Sequence, residues 1–404
     1  NARSREGNIR HAKEIPLIHL KKAVSQAGLR YARGMAMRAG VITFHSAHNY
    51  GATLQTWALQ KTLAKLGAEP CVVNYHPKVI DGLYEVPKLN TGAKRWQYLT
   101  RRSVRKRRRQ LKIRYARYSA FLQDNIKLKG DYRTFRELEE NPPGLDCYIA
   151  GSDQIWNPDH TDGYDPAYFL GFAEKSSRKI AYAVSIGRER FPAQYREVFG
   201  EAIRSFDAVS VREPSAAAAV SEAFGAEVPV VLDPTLLLTR EEYEELFVPT
   251  KRREKYILVY MMENNRRLVQ LANRISVVTG LPVIQRKPGK IFHNELEPFF
   301  TEHPGEFLGE LAGAEYILTN SFHGTVFSLI YDKPFLSLLH SQTGSRISDL
   351  LDQLGLAGHL LHDTKEFRDM GQFFLKDAGR VKRRIEELRA DSLRFLENAL
   401  GRSL

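Results

Sequence analysis

The sequence Tyr316-Ile-Leu-Thr-Asn-Ser-Phe-His-Gly-Thr-Val-Phe-Ser-Leu-Ile-Tyr-Asp-Lys-Pro334 reads as a strand, a polar turn and a helix in direct succession. The apolar start predicts a short buried strand over 316–318, and the apolar run after His323 predicts a helix that ends before Pro334. In open α/β sheets, ligands bind at this edge, and the first turn of a helix favours phosphate or carboxylate. We interpret His323 as a candidate proton donor; the alternative is a structural histidine in a capping segment.

The same order of strand, polar turn and helix recurs along the chain. A first unit has a strand at 41–44, a helix at 51–66 and a strand at 70–75. Further strands are predicted at 145–150, 180–185, 208–211, 228–232, 256–260, 282–285 and 335–338. This alternation predicts an α/β fold with two Rossmann-like domains, whose parallel sheets face a central cleft.

Changes in pattern divide the chain into four parts. Residues 1–38 form a basic N-terminal extension, which we interpret as an extension or a start-site artefact without function. The N-terminal Rossmann-like domain covers 39–238 and carries a basic helical insert at about 76–140. The C-terminal Rossmann-like domain covers 239–363, and C-terminal helices are expected over 364–404.

Composition is that of a globular protein, with 43% hydrophobic and 26% charged residues among 404. We found no apolar run of the length that spans a bilayer and no secretory signal. The two cysteines, Cys71 and Cys147, lie in apolar strand-like runs, where small buried side chains are expected. We therefore expect a cytoplasmic protein without metal or disulfide.

The net charge of +13 is concentrated in two stretches. Residues 1–40 carry nine Lys/Arg and two Glu, and residues 94–117 carry twelve Lys/Arg and no acid. The basic insert has three interpretations: contact with the anionic inner face of a membrane, a nucleic-acid patch, or a solvated helix that packs one stripe on its own domain. Because basic charge is segregated from the predicted site, we expect no nucleic-acid partner.

Two polar turns follow predicted strands of the first domain. The first suits an anion or sugar hydroxyls, and its candidate residues are His45, Asn49, Tyr50, Gly51 and Gln55. The second suits hydrogen bonds to a sugar, with an aromatic ring for stacking; its candidates are Ser152, Asp153, Gln154, Trp156 and Asn157. The alternative for the second is a structural turn with Trp156 in the core.

Three arginines lie near the ends of predicted strands. Arg212 ends one strand, Arg286 ends another, and Arg346 follows the strand after the His323 helix. Such arginines hold phosphate or carboxylate, although each alone is more often a surface ion pair.

These segments together resemble the polysaccharide pyruvyl transferase family. The matching pieces lie at 42–55, 151–157, 209–213, 232–235 and 319–325. The resemblance covers about residues 39–355 and implies an architecture like the two-domain GT-B glycosyltransferases.

The resemblance also implies transfer of a pyruvyl group from phosphoenolpyruvate to two hydroxyls of a sugar, giving a cyclic ketal and phosphate without a cofactor. It implies His323 as the acid. Arg212, Ser321, Phe322 and Gly324 would bind the donor, and the two polar turns would bind a saccharide acceptor, which the basic insert suggests is lipid-linked.

This sequence departs from the family at one place. The histidine motif of characterised relatives often reads Arg-Leu-His, whereas Ser321 and Phe322 precede His323 here. We expect Arg346 or Arg286 to supply the lost charge. The alternatives are a nucleotide-sugar glycosyltransferase of the same architecture, a non-catalytic binding protein and a nucleic-acid binder.

Overall fold

The computed structural model describes residues 36–84, 86, 96, 101–286, 302–339 and 345–401. Most of the basic extension 1–38 therefore lies outside the described residues, as does most of the stretch between 85 and 100. The described chain forms two α/β halves, each built on a parallel sheet.

The first half contains a six-stranded sheet. Its strands are β1 (Arg38–Ile42), β2 (Glu69–Tyr75), β3 (Leu128–Tyr132), β4 (Cys147–Gly151), β5 (Arg178–Val184) and β6 (Ala208–Val211). They lie in the order β3-β2-β1-β4-β5-β6, and the pairs are parallel. The central strands are apolar on both faces because helices cover both sides, which is typical of parallel sheets.

The second half contains a five-stranded sheet. Its strands are β7 (Ile257–Tyr260), β8 (Val283–Arg286), β9 (Tyr316–Thr319), β10 (Phe335–Leu338) and β11 (Leu360–Leu361). They lie in the order β11-β10-β9-β7-β8, again in parallel pairs. The predicted fold class, two Rossmann-like α/β halves, is confirmed.

Helices connect most of the strands. They are α1 (Tyr50–Lys65), α2 (Lys78–Asp81), α3 (Arg102–Asn125), α4 (Phe135–Glu140), α5 (Pro158–Thr161), α6 (Arg196–Ile203), α7 (Pro214–Phe224), α8 (Arg266–Thr279), α9 (Pro304–Gly313), α10 (Phe322–Ile330), α11 (Ser345–Gln353) and α12 (Ala378–Ala399). None of these described helices is long and apolar enough to cross a membrane.

Two strand predictions need correction. The insert, predicted as helical, also contributes the edge strand β3, whose residues are mostly exposed and so show no alternation of apolar and polar positions. The segment predicted as a strand at 228–232 pairs only through a bridge between Val230 and Val211. An apolar run marks burial, but pairing depends on neighbouring strands that a local pattern does not reveal.

The two halves pack on each other through aromatic side chains. Tyr50 at the start of α1 stacks on Phe307 of α9, with ring centroids 4.3 Å apart. Arg117 of the insert helix α3 forms a 2.5 Å ion pair with Glu306 of α9. The last helix returns to the first half, where the Ser392 hydroxyl accepts a 2.9 Å hydrogen bond from the Leu232 N–H. The halves are therefore tied together on both sides of the cleft.

His76 lies between two carboxylates at the end of β2. Its Nδ1 is 2.8 Å from Asp81 Oδ2, and its Nε2 is 2.6 Å from Asp131 Oδ1. The hydrogen bond with Asp81 raises the pKa of His76, and Asp131 adds to the effect although burial opposes it. The protonated ring therefore joins α2 to the edge strand β3.

Because the folded pKa is raised, this stabilisation is fully present below the unfolded pKa and is lost as pH rises through the folded value. We expect His76→Gln to lower the free energy of unfolding more at about pH 5.5 than at about pH 9. Urea unfolding of both proteins at the two pH values measures this. An equal loss at both values would show that the ring acts only by packing.

Candidate functional site

His323 stands at the first turn of α10, directly after β9. The Ser321 hydroxyl caps this helix by accepting a 3.2 Å hydrogen bond from the Gly324 N–H. A Cβ on Gly324 would lie 2.3 Å from Thr319 Oγ1, so a glycine is needed where the helix packs on the strand end. Tight packing and a side-chain cap therefore fix the direction in which His323 leaves the helix. The side chain is almost buried, with 9% exposed.

Gly51 brings the first half of the protein against His323. It follows the N-cap residue Asn49, whose side-chain oxygen accepts a 2.9 Å hydrogen bond from the Gly51 N–H. A Cβ added at Gly51 would lie 2.0 Å from His323 Nδ1. The first polar turn and the histidine motif therefore meet across the cleft, and only glycine permits the approach.

Asp233 is the carboxylate beside His323. Its Oδ2 lies 3.7 Å from His323 Nε2 and accepts a 2.8 Å hydrogen bond from Arg212 Nη1. Burial alone would raise the pKa of Asp233, but the His323 ring and the Arg212 guanidinium outweigh it and hold this pKa well below its usual range. Asp233 is therefore a charged, buried anchor for a histidine and an arginine from different elements.

Arg212, at the end of β6, is held by two carboxylates. Besides Asp233, Glu213 Oε1 accepts a 2.8 Å hydrogen bond from its Nε. Burial lowers the pKa of Arg212, but these two acids raise it by more, so the guanidinium stays charged. Its buried Nη2 has no hydrogen-bond partner within the described part of the chain. An N–H group in this position can donate a hydrogen bond to an oxygen atom of a ligand.

A second guanidinium lies nearby. The Arg212 guanidinium carbon is 4.6 Å from the centroid of the Phe322 ring, and that of Arg346 is 5.9 Å from the same centroid. Burial and the neighbouring Arg212 lower the pKa of Arg346 to about 10, so both side chains are cationic at neutral pH. Two like charges this close favour binding of an anion between or beside them.

Asp153 is the acidic group of the second polar turn, and its carboxylate accepts a 2.8 Å hydrogen bond from the Gln154 N–H. After burial and nearer charges, its negative charge also raises the pKa of Arg212 and of Arg346. Its backbone is left-handed, with φ of 69°. A non-glycine residue in this conformation costs free energy and is common at binding sites.

Other candidates from the two turns are structural and buried. Trp156 is 1% exposed, donates its Nε1–H to the Tyr168 carbonyl and stacks on Phe169, so it offers no face to a sugar. That expectation is corrected, because polar density in a turn does not show which way one large ring points. The remaining buried side chains engage neighbouring protein atoms: His45, Gln55, Ser152, Gln154 and Asn157.

Arg286 makes a different set of contacts from Arg212 and Arg346. Its guanidinium binds Glu310 at 2.7 Å and Glu302 at 3.0 Å, and Glu302 in turn accepts a hydrogen bond from the Tyr50 hydroxyl. The structure therefore brings Arg346, and not Arg286, to the Phe322 ring beside Arg212.

Two residues of the site were not among the candidates chosen from the sequence. Asp233 belongs to the matching piece 232–235, but its role needs the fold, which sets it beside His323 of the other half. Glu213 directly follows Arg212, and the sequence indicated only that it lies at the end of a strand. Among the described residues, no group of three or more His, Cys, Asp or Glu side chains has the arrangement of a metal site.

The sequence model of the polysaccharide pyruvyl transferase family matches residues 49–342. The chain belongs to the polysaccharide pyruvyl transferase family. The match includes the Gly51 turn, Asp153, Arg212, Asp233 and His323, whereas Arg346 lies just beyond it. Comparison with curated protein sequences gave no match.

Several solved structures are similar at low sequence identity. Staphylococcus aureus MnaA with UDP is 13% identical, with a TM-score of 0.48 over 91% of this chain and 98% of that one. The UDP-GlcNAc 2-epimerase of Neisseria meningitidis is 10% identical, with a TM-score of 0.43 over 91% and 100%. The glycosyltransferase SnogD of Streptomyces nogalater is 12% identical, with a TM-score of 0.37 over 90% and 100%.

The contact between Gly51 and His323 can be tested by adding one methyl group. We expect Gly51→Ala to destabilise the protein by about 1–3 kcal/mol, because the new Cβ overlaps the imidazole and a packed site relaxes only in part. Urea unfolding measures the change. Gly358→Ala is the matched control, since a Cβ there meets nothing within 4 Å.

A free energy of unfolding for Gly51→Ala equal to that of the unaltered protein would show that the two halves do not approach as closely as described. A similar loss in the Gly358→Ala control would attribute the effect to glycine replacement in general.

Proposed function

We propose that the cleft binds phosphoenolpyruvate and transfers its pyruvyl group to two hydroxyls of a saccharide, forming a cyclic ketal and releasing phosphate. The observation that carries this proposal is the pair of guanidiniums, Arg212 and Arg346, around the Phe322 ring next to His323. A small donor with a phosphate and a carboxylate matches two fixed cations. Phosphoenolpyruvate is an enol phosphate whose methylene carbon must gain a proton, so the site also needs a proton donor beside the two cations.

Arg346 takes the place of the arginine that the family motif often has before its histidine. Ser321 stands at that position here and is engaged as the N-cap of α10. A cation from α11 restores the charge next to Phe322, at a different point in the sequence but in the same cleft. The departure from the motif is therefore compatible with the same donor.

His323 would donate the proton that starts the reaction. Protonation of the methylene carbon of phosphoenolpyruvate turns it into a methyl group and leaves the central carbon electrophilic. Asp233 is a positioning residue, because its buried carboxylate lies 3.7 Å from His323 Nε2 and sets the orientation of the ring. Arg212 shares that carboxylate, so donor binding and proton donation act through one buried group.

A first sugar hydroxyl then bonds to the central carbon and loses its proton. The carbon–oxygen bond to phosphate breaks, and the arginines stabilise the departing charge. The second hydroxyl closes the ketal and loses its proton in turn. One proton has entered the methyl group and the two hydroxyl protons return to the histidine and to phosphate, so the exchange balances without a cofactor.

The acceptor would enter from the side of Asn49 and Asp153. These two half-buried polar side chains border the cluster from the two turns of the first half. Asp153 would accept a hydrogen bond from an acceptor hydroxyl, since its charge acts on the two arginines that would hold the donor. Tyr50 lies behind Gly51 in an aromatic stack and supports the turn.

The deciding experiment measures phosphate release from phosphoenolpyruvate with a panel of hexosides. We expect release that depends on the acceptor and falls by about 10²–10⁴ in His323→Gln, because the proton donor is lost. Gly358→Ala is the control and should keep full activity. Release that is independent of both the acceptor and His323 would contradict the proposal.

We expect substitutions of the two arginines to weaken donor binding, whereas substitution of His323 removes the proton donor. Arg212→Gln should weaken binding of phosphoenolpyruvate and slow the reaction, because it removes a charge paired with both donor and Asp233. Arg346→Gln should raise the KM for phosphoenolpyruvate by at least about tenfold. Equal kinetics of Arg346→Gln and the unaltered enzyme would show that Arg346 is not the second cation of the donor site.

Thermal stabilisation of the protein by a nucleoside diphosphate and not by phosphoenolpyruvate would favour a nucleotide-sugar glycosyltransferase.

A further inference from the structure

The insert helix α3 carries a basic stripe on its outward side. Arg102, Lys106, Arg109 and Ile113 follow one another at helical spacing, and all four are exposed. Arg105 and Lys112 are exposed beside them. The sequence has no acidic residue from 94 to 117.

The opposite face of α3 packs on the rest of the protein. Its inward residues Leu111, Tyr118 and Phe121 are buried in the protein core. Arg114 is also buried and donates a hydrogen bond to the His48 carbonyl. The packed face agrees with the interpretation of this segment as a solvated helix that packs one stripe on its own domain. The other face is presented to the outside in a fixed orientation.

The helix also adjoins the proposed acceptor side. The ring of His48 lies 5.1 Å from that of Tyr115 and 5.1 Å from that of Tyr118. Tyr115 is 48% exposed, and Ile113 is 37% exposed. His48 precedes the turn in which Gly51 contacts His323. The helix that carries the basic stripe therefore packs directly beside the turn that borders the proposed site.

We propose that the outward face of α3 binds the surface of an anionic lipid bilayer, which sets the acceptor side of the cleft next to the membrane. Positive charges attract acidic headgroups, and the exposed Ile113 on the same face reaches the apolar boundary below them. Double-stranded nucleic acid would use the charges but gain nothing from an isoleucine within the same surface. That the acceptor is a lipid-linked saccharide rests on the proposed function; binding to the bilayer does not.

The test uses the full chain and sedimentation with vesicles. One set contains phosphatidylcholine alone and the other contains about 30% phosphatidylglycerol. The variant combines Arg102→Gln, Lys106→Gln, Arg109→Gln and Lys112→Gln. A control combines four exposed positions away from α3, namely Lys251→Gln, Arg253→Gln, Lys376→Gln and Arg383→Gln, so that both proteins lose the same net charge.

We expect binding to the anionic vesicles alone, reduced at least about tenfold in the α3 variant and kept in the control, with weaker binding at high salt. A soluble hexoside should be converted at the unaltered rate by the α3 variant, which separates loss of membrane contact from loss of catalysis. Equal vesicle binding by the variant, or equal binding to both vesicle types, would overturn the proposal. Salt-dependent binding to DNA without binding to vesicles would also overturn it.

Discussion

The site depends on one buried carboxylate, Asp233, which is shared by two basic side chains. It binds Arg212 from the first sheet and stands beside His323 from the second half. A charged carboxylate in the interior is costly unless cations surround it, and removing one partner of such a group destabilises strongly. The two halves are therefore held in register by the same charges that make up the proposed site.

Small residues make that arrangement sterically feasible. Gly51 lets the first polar turn touch the imidazole, and Gly324 lets α10 pack on the end of β9. The aromatic stack of Tyr50 on Phe307 stabilises the same junction from behind. The cleft is thus a packed junction in which Arg212, Asp233 and His323 hold each other, and Arg346 completes the positive side next to Phe322.

Most of the fold followed from the sequence, because buried parallel strands appear as apolar runs bounded by polar turns. The edge strand β3 did not, since its exposed residues show no alternation. In the site, the positions of His323, Gly51 and Arg212 at strand ends were predictable from the helix and strand pattern. Trp156 was misread as a stacking surface, and Asp233 had no assigned role, because both depend on contacts with distant segments. The choice between Arg346 and Arg286 likewise needed the packing of α9 and α11.

We propose that Arg212 and Arg346 together bind phosphoenolpyruvate. Titration calorimetry of the unaltered protein and Arg212→Gln with phosphoenolpyruvate and with a UDP-sugar tests it most directly. We expect phosphoenolpyruvate to bind the unaltered protein, and Arg212→Gln to lower the affinity at least about tenfold. Binding of the UDP-sugar alone, or binding of phosphoenolpyruvate that is indifferent to Arg212, would contradict it.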